Sequence, residues 1–293
     1  MTSRGVHRVM IGLYIALFFA FLFGPLVVMG ITAFNTPTYP QVWPFEGFTL
    51  AWFASLLGDR MLMEGLRNSL LIGGLVVCLA VPLGLAGAIV MTQIHARARS
   101  LYYLVVVSPV LTPGVILGIS TVIFWSDVAD WTGTRDQFYQ GIFLATLGQS
   151  TFISAYCMLI FLSRLQRFDS AQEEAALDLG ATRTQVFFHV LLPFLKPAIL
   201  SAAVLAFLSS FENYNTTTFA ILADKTMTTV LAGRVRQGTT PAISALAVII
   251  IGMTLLGAIV YEVLRRREQA RDEARARAAA EAERRDLSVT ALA

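Results

Sequence analysis

Apolar residues in this chain come in long blocks, not in the strict alternation of a half-buried strand or the narrow stripe of a surface helix. Six blocks are long enough to cross the ~30 Å hydrocarbon layer of a bilayer, which takes about 20 residues. They cover residues 9–32, 69–91, 101–125, 141–162, 197–223 and 242–264. The pattern predicts an all-α integral membrane protein with six transmembrane helices. The first block is too long for the core of a secretory signal, and no soluble domain follows the AFN at its end, so it is expected to be a retained span. The expected organisation is a first helix with an external loop over 1–67, a transmembrane core over 68–264 with a cytoplasmic loop at 163–196, and a charged Ala-rich tail over 265–293.

Composition agrees with the hydropathy. The chain is 56% hydrophobic and 14% charged, against about 25% charged in an average soluble domain. A net charge of +3 gives no reason to expect a nucleic-acid partner. Lys and Arg set the orientation. The N-terminus, the 92–100 and 163–196 loops and the tail together hold 16 basic residues, against 6 in the 33–68, 126–140 and 224–241 loops. Both termini are therefore expected to be cytoplasmic. Cys78 and Cys157 lie inside apolar blocks and read as small buried hydrophobes. No His or Cys has a partner at metal-ligand spacing, so no metal site is expected. The aromatics Trp43, Phe45, Phe48, Trp52 and Phe53 suit an ordered loop at the membrane interface.

Two blocks carry features that a plain span does not need. The third reads SPVLTPGVILG, where Pro109 and Pro113 each remove a backbone hydrogen bond and Gly114 follows. Such breaks are tolerated where neighbouring helices or a cavity satisfy the freed carbonyls. These three residues are either a static kink or a hinge beside a pathway. The fifth contains FENYNTTTF at 211–219. An ionisable group inside a span is costly, about 2.5–3.5 kcal/mol for an aspartate at the centre, so Glu212 should face a partner, a cavity or water. If the block is one helix, Ser201, Ser209, Glu212, Asn215 and Thr216 share an arc of about 100°. Asn213 and Tyr214 flank that stripe. Either these groups bond neighbouring helices, or Ser209, Glu212, Asn213, Tyr214, Asn215 and Thr216 line a path for a cationic solute. The carboxylate favours the path.

The 163–196 loop is patterned as two short helices. Ser170-Ala-Gln-Glu173 and Thr182-Arg-Thr-Gln185 both fit the capping box. Gly180 lies where a left-handed residue would end the first helix, and Pro193 is expected to end the second or mark the next boundary. A helix from about 171 to 179 is too short to be stable alone in water, so it needs a surface to pack on.

Glu174-Ala175-Ala176, three residues, Gly180, nine residues, Val190, one residue, then Leu192-Pro193 resembles the EAA motif of permease subunits of bacterial type I ATP-binding-cassette importers. Only Val190 departs, from isoleucine. The resemblance covers about 68–264 and implies the type I permease fold in the inner membrane. It also implies that the first loop helix is a coupling helix docking on a separate ATPase. Glu173, Glu174, Ala175, Ala176 and Gly180 would stand at that contact, with Arg183 added from the second helix. It implies as partners two ATPase subunits, a second permease, a periplasmic solute-binding protein and membrane lipid. The chain has no GxxxxGK[ST] phosphate loop, so it is expected to be non-catalytic and to carry no cofactor. ATP and Mg would sit on the ATPase.

Within the family, FGPLVVMGITAFN, FTLAWF, NSLLIG and Ser210-Phe211-Glu212 resemble the second permease of spermidine/putrescine-type importers. That implies a polyamine and a non-identical partner permease. Such relatives carry two adjacent acids after SF, and here the second position is Asn213. An amino-acid derivative, a thiamine-like cation or an aminophosphonate stays open as the solute. A stand-alone channel or secondary transporter would account for Glu212 but not for the loop.

Overall fold

In lipid, every backbone N–H and C=O must find its partner inside the chain, and a helix does this locally. The computed structural model describes residues 3–256 together with Ile259 and Val263. The 265–293 tail and most of the sixth block beyond Leu256 lie outside the described residues. In chain order the helices are α1 (Ser3–Phe34), α2 (Ala51–Leu57), α3 (Arg60–Gln93), α4 (Ala96–Leu111), α5 (Gly114–Thr132), α6 (Arg135–Phe138), α7 (Gly141–Leu165), α8 (Ala171–Asp178), α9 (Arg183–Val186), α10 (Leu192–Phe211), α11 (Asn215–Ala220), α12 (Met227–Gln237) and α13 (Pro241–Leu256). A π-helical turn, Phe187–Leu191, joins α9 to α10.

Among the described residues, five helices are long and apolar enough to cross a membrane, and α13 is a shorter apolar helix. The all-α membrane architecture is as expected. Two of the expected spans are not single helices. The third is broken between α4 and α5, because Pro113 has no N–H to donate and holds Thr112 extended (φ −84°, ψ 131°). The Thr112 hydroxyl donates to Ser108 O at 3.0 Å, which satisfies one carbonyl freed there. The fifth ends at Phe211 and restarts at Asn215.

The chain forms two compact units. One comprises residues up to Gly58 and from Thr239 onward. Its large apolar side chains from Val9 to Val28 are exposed along α1, as on a helix meant for lipid or another subunit. The loop after α1 is ordered around buried Asn35. Its Oδ1 accepts from the amides of Thr36 and Glu46 (3.0 Å each), and its Nδ2 donates to Gln41 O at 3.0 Å. Phe34 stacks on Phe48 with ring centroids 5.3 Å apart. The Thr32 hydroxyl donates to that of Ser244 at 2.9 Å, linking α1 to α13.

The other unit, Asp59–Gly238, holds the 163–196 loop and the polar stretch. Its core is made by Ile72, Val76 and Ala80 of α3, Leu144, Ile153, Met158 and Phe161 of α7, and Ala202 and Ala206 of α10. Cys157 is buried there, as expected. Cys78 is exposed, which corrects the reading of both thiols as buried: it stands on the face of α3 opposite Val76 and Ala80.

Candidate functional site

The polar stretch FENYNTTTF breaks its helix because its own side chains compete for the backbone. Asn213 Oδ1 accepts from the amides of Thr216 and Thr217, both at 3.2 Å, and from the Thr217 hydroxyl at 3.1 Å. One side chain thus takes over free donors at the start of α11, the service an N-terminal cap performs. Glu212 becomes the C-terminal cap of α10 and is exposed. The stripe drawn on a continuous helix is therefore broken at Glu212. Asn215 is exposed, Ser209 and Tyr214 are half-buried, and Thr216 is buried.

The short helix α11 is seated on glycines. A Cβ at Gly114 would come within 2.9 Å of Thr216 Oγ1, and one at Gly118 within 2.5 Å of Thr216 O. A Cβ at Gly148 of α7 would meet Thr216 Cγ2 at 3.2 Å. Of the three hinge candidates, Pro113 is at the α4–α5 break and Gly114 is the first residue of α5, packed on α11. Pro109 lies inside α4 without ending it.

A chain of buried hydrogen bonds holds the break. Gln149 of α7 accepts from the Ser210 hydroxyl at 2.5 Å and donates to Thr217 Oγ1 at 2.7 Å. Sequence reasoning missed Gln149, although a lone amide inside the apolar run GIFLATLGQSTFIS is a visible signal. It also missed the cover over the break. The Thr228 hydroxyl donates to Asn213 O at 3.0 Å, and Arg236 donates to the Tyr214 phenol at 2.9 Å. Both come from α12. That helix is tethered to α3 through Asn68 Nδ2, which donates to Lys225 O at 2.9 Å, and Ser69 Oγ, which accepts from the Met227 amide at 2.9 Å. Arg234 also pairs with Asp59, the cap of α3. Burial pushes the Asp59 carboxyl up, but the Leu62 amide and the Arg234 guanidinium outweigh it and hold it below its ordinary value of 3.8.

The 163–196 loop begins at the C-terminal end of α7. All residues of α8 except Ala176 are exposed, Glu173, Glu174 and Ala175 among them. Gly180 has φ +85° and donates to Leu177 O at 2.9 Å, while the Ala181 amide donates to Ala176 O at 3.1 Å. This pair of bonds is a Schellman motif, and it forms at the left-handed glycine stop that the sequence predicted. At the other end, the Ser170–Glu173 capping box is not formed. Ser170 adopts a helical conformation and makes no side-chain cap, and Asp169 Oδ1 accepts the Ala171 amide at 3.0 Å instead. The second capping box, Thr182 with Gln185, is formed, and Arg183 follows it, exposed.

Pro193 does not end the second helix. The π turn widens the coil just before it, and Arg183–Phe211 reads as one apolar helical span of 29 residues. At about 1.5 Å per residue that is a rod of roughly 43 Å. It joins α9 directly to Glu212. Arg164 of α7 stacks on Phe194 at its base, 4.2 Å from the ring centroid.

Residues 80–269 match the family model described as "Binding-protein-dependent transport system inner membrane component". The putrescine transport system permease protein PotI of Escherichia coli (strain K12) is 32% identical over 259 residues, covering 86% of this chain and 90% of the relative. The spermidine/putrescine transport system permease protein PotC of Haemophilus influenzae (strain ATCC 51907 / DSM 11121 / KW20 / Rd) is 24% identical over 250 residues, covering 85% and 93%. The fold is similar to a chain in the crystal structure of a bacterial alginate ABC transporter in complex with alginate pentasaccharide-bound periplasmic protein. The TM-score is 0.64 at 20% identity, over 87% of this chain and 92% of that one.

Proposed function

From the premise that the chain belongs to the family of binding-protein-dependent transport system inner membrane components, we propose that it is the permease subunit of an ATP-driven importer of a polyamine such as putrescine or spermidine. The observation that carries the substrate class is the 32% identity to a putrescine permease across most of both chains, joined to an exposed carboxylate, Glu212, at a helix break. A polyamine is a multiply charged cation at neutral pH. A carboxylate accepts charge-assisted hydrogen bonds from its ammonium groups. Asn213 is neutral and its oxygen is engaged in capping, so Glu212 is the acid this stretch offers the solute. The second ammonium is expected to meet a group on a partner permease, non-identical to this one.

The chain performs no covalent step. The exposed α8, closed by its glycine stop, is the docking element for a separate ATPase, of which two would serve the permease pair. ATP and Mg bind there. Both termini would lie on that side, and a periplasmic protein would deliver the solute from the other. Movement of α8 would reach Glu212 along the Arg183–Phe211 rod, so hydrolysis and solute contact sit at two ends of one element.

Gly180→Pro tests the coupling. Proline fixes φ near −65°, incompatible with +85° at this position, and cannot donate to Leu177 O. The variant should still insert in the membrane but should lose ATP-driven putrescine uptake and retention of the ATPase on purification. Uptake at the parental rate would remove α8 from the mechanism.

A further inference from the structure

We propose that Gln149 is the positioning residue of the helix break, holding Glu212 where a cationic solute meets it. The inference rests on the reading of Glu212 as a pathway carboxylate.

Gln149 is 1% exposed and lies on α7. Its carbonyl oxygen accepts from Ser210, in the last turn of α10, and its amide donates to Thr217, on α11. Ser210 precedes the break and Thr217 follows it. One side chain therefore bridges both halves of an interrupted span, and Glu212 is carried on the segment between the two anchors. Thr217 passes the link on by donating to Asn213 Oδ1 at 3.1 Å, the atom that starts α11. Ser210 and Thr217 are buried, at 5% and 0% exposure, so water does not compete for either bond.

Packing seats α11 on Gly114, Gly118 and Gly148. Gln149 adds a polar anchor on each side of the break, to Ser210 and to Thr217. Residues packed only for stability would change how much protein assembles. A residue that aims Glu212 should change how well the solute is held.

The test uses the complete importer in proteoliposomes with putrescine as the probe, comparing Gln149→Met, Thr217→Val, their double variant, and Glu212→Gln. Methionine keeps the length of glutamine and forms neither bond. Gln149→Met should raise the KM for putrescine about tenfold while Vmax stays within about twofold, the signature of lost binding rather than lost turnover. Thr217→Val should do the same in a milder form, and the double variant should be no worse than Gln149→Met, because both changes cut one link.

An unchanged KM in Gln149→Met, or a fall in Vmax alone, overturns the inference. If Gln149→Met fails to assemble, Thr217→Val, whose cap keeps both amides, decides by the same split. Impairment of Glu212→Gln with normal KM in both bridge variants defeats the positioning role and leaves the pathway reading standing. Normal uptake by Glu212→Gln defeats the pathway reading and the positioning role with it.

Discussion

Replacing Gly118 by alanine should unseat the polar break without removing a polar atom. A Cβ there would lie 2.5 Å from the carbonyl oxygen of Thr216 and 3.0 Å from Phe219 Cβ. Ordinary van der Waals contact begins at 3.4 Å, so α5 and α11 must separate by about 0.9 Å at that point, and overpacking of this kind costs about 1–3 kcal/mol. The obstacle is backbone, which no rotamer change removes. That energy corresponds to roughly 5- to 150-fold in the balance between seated and unseated α11. It should also lower the thermal midpoint of the purified protein by about 2–4 °C per kcal/mol.

Gly74 of α3 supplies the control, since nothing lies within 4 Å of a Cβ there. Both variants would be measured for initial rate of putrescine uptake and for thermal midpoint. Gly118→Ala should lose about thirtyfold in uptake, the middle of that range, and several degrees in midpoint, and Gly74→Ala should resemble the parent. Equal behaviour of the two variants would refute the seating of α11 on α5.

Two further outcomes follow from single side chains. Asn213→Asp keeps the acceptor for the Thr216 and Thr217 amides and adds negative charge at a helix N-terminus, which is favourable, so uptake should survive. Asn213→Leu removes the cap, costs about 0.5–2 kcal/mol and should lower the thermal midpoint; an unchanged midpoint would show that Asn213 is no cap. Asp59 is held below its ordinary 3.8, so its pairing with Arg234 adds stability above that value and loses it as pH falls through the lower folded-state value. The midpoint difference between the parent and Asp59→Asn should be full at neutral pH and vanish in acid, and no difference at neutral pH would contradict the pairing.

Hydropathy made the membrane class, three of the span positions and the loop between α7 and α10 legible, because those signals are long and local. The Gly180 stop and the Thr182 cap were legible for the same reason. What the sequence hid depends on competition. A run of apolar residues does not say whether Pro113 will kink a helix or divide it. FENYNTTTF reads as a helical stripe until Asn213 is seen to take two amides for itself. At the start of α8 two caps compete within two residues, and Asp169 prevails over Ser170. Proline at 193 is a stop signal on paper, yet the helix continues past it behind the π turn Phe187–Leu191. Gln149 was visible as a polar residue in an apolar run, but its two partners lie 61 and 68 residues away, and no local pattern joins them.

The central claim is that ATP hydrolysed on a partner drives a polyamine past Glu212. Its most direct measurement is putrescine accumulation by proteoliposomes holding the complete importer, with ATP, for the parent and for Glu212→Gln, alongside the ATPase rate of the same samples. ATP-dependent accumulation in the parent, lost in Glu212→Gln while the basal ATPase rate persists, is the predicted result. Accumulation by Glu212→Gln at the parental rate, or no ATP-dependent putrescine accumulation by the parent, would contradict the account.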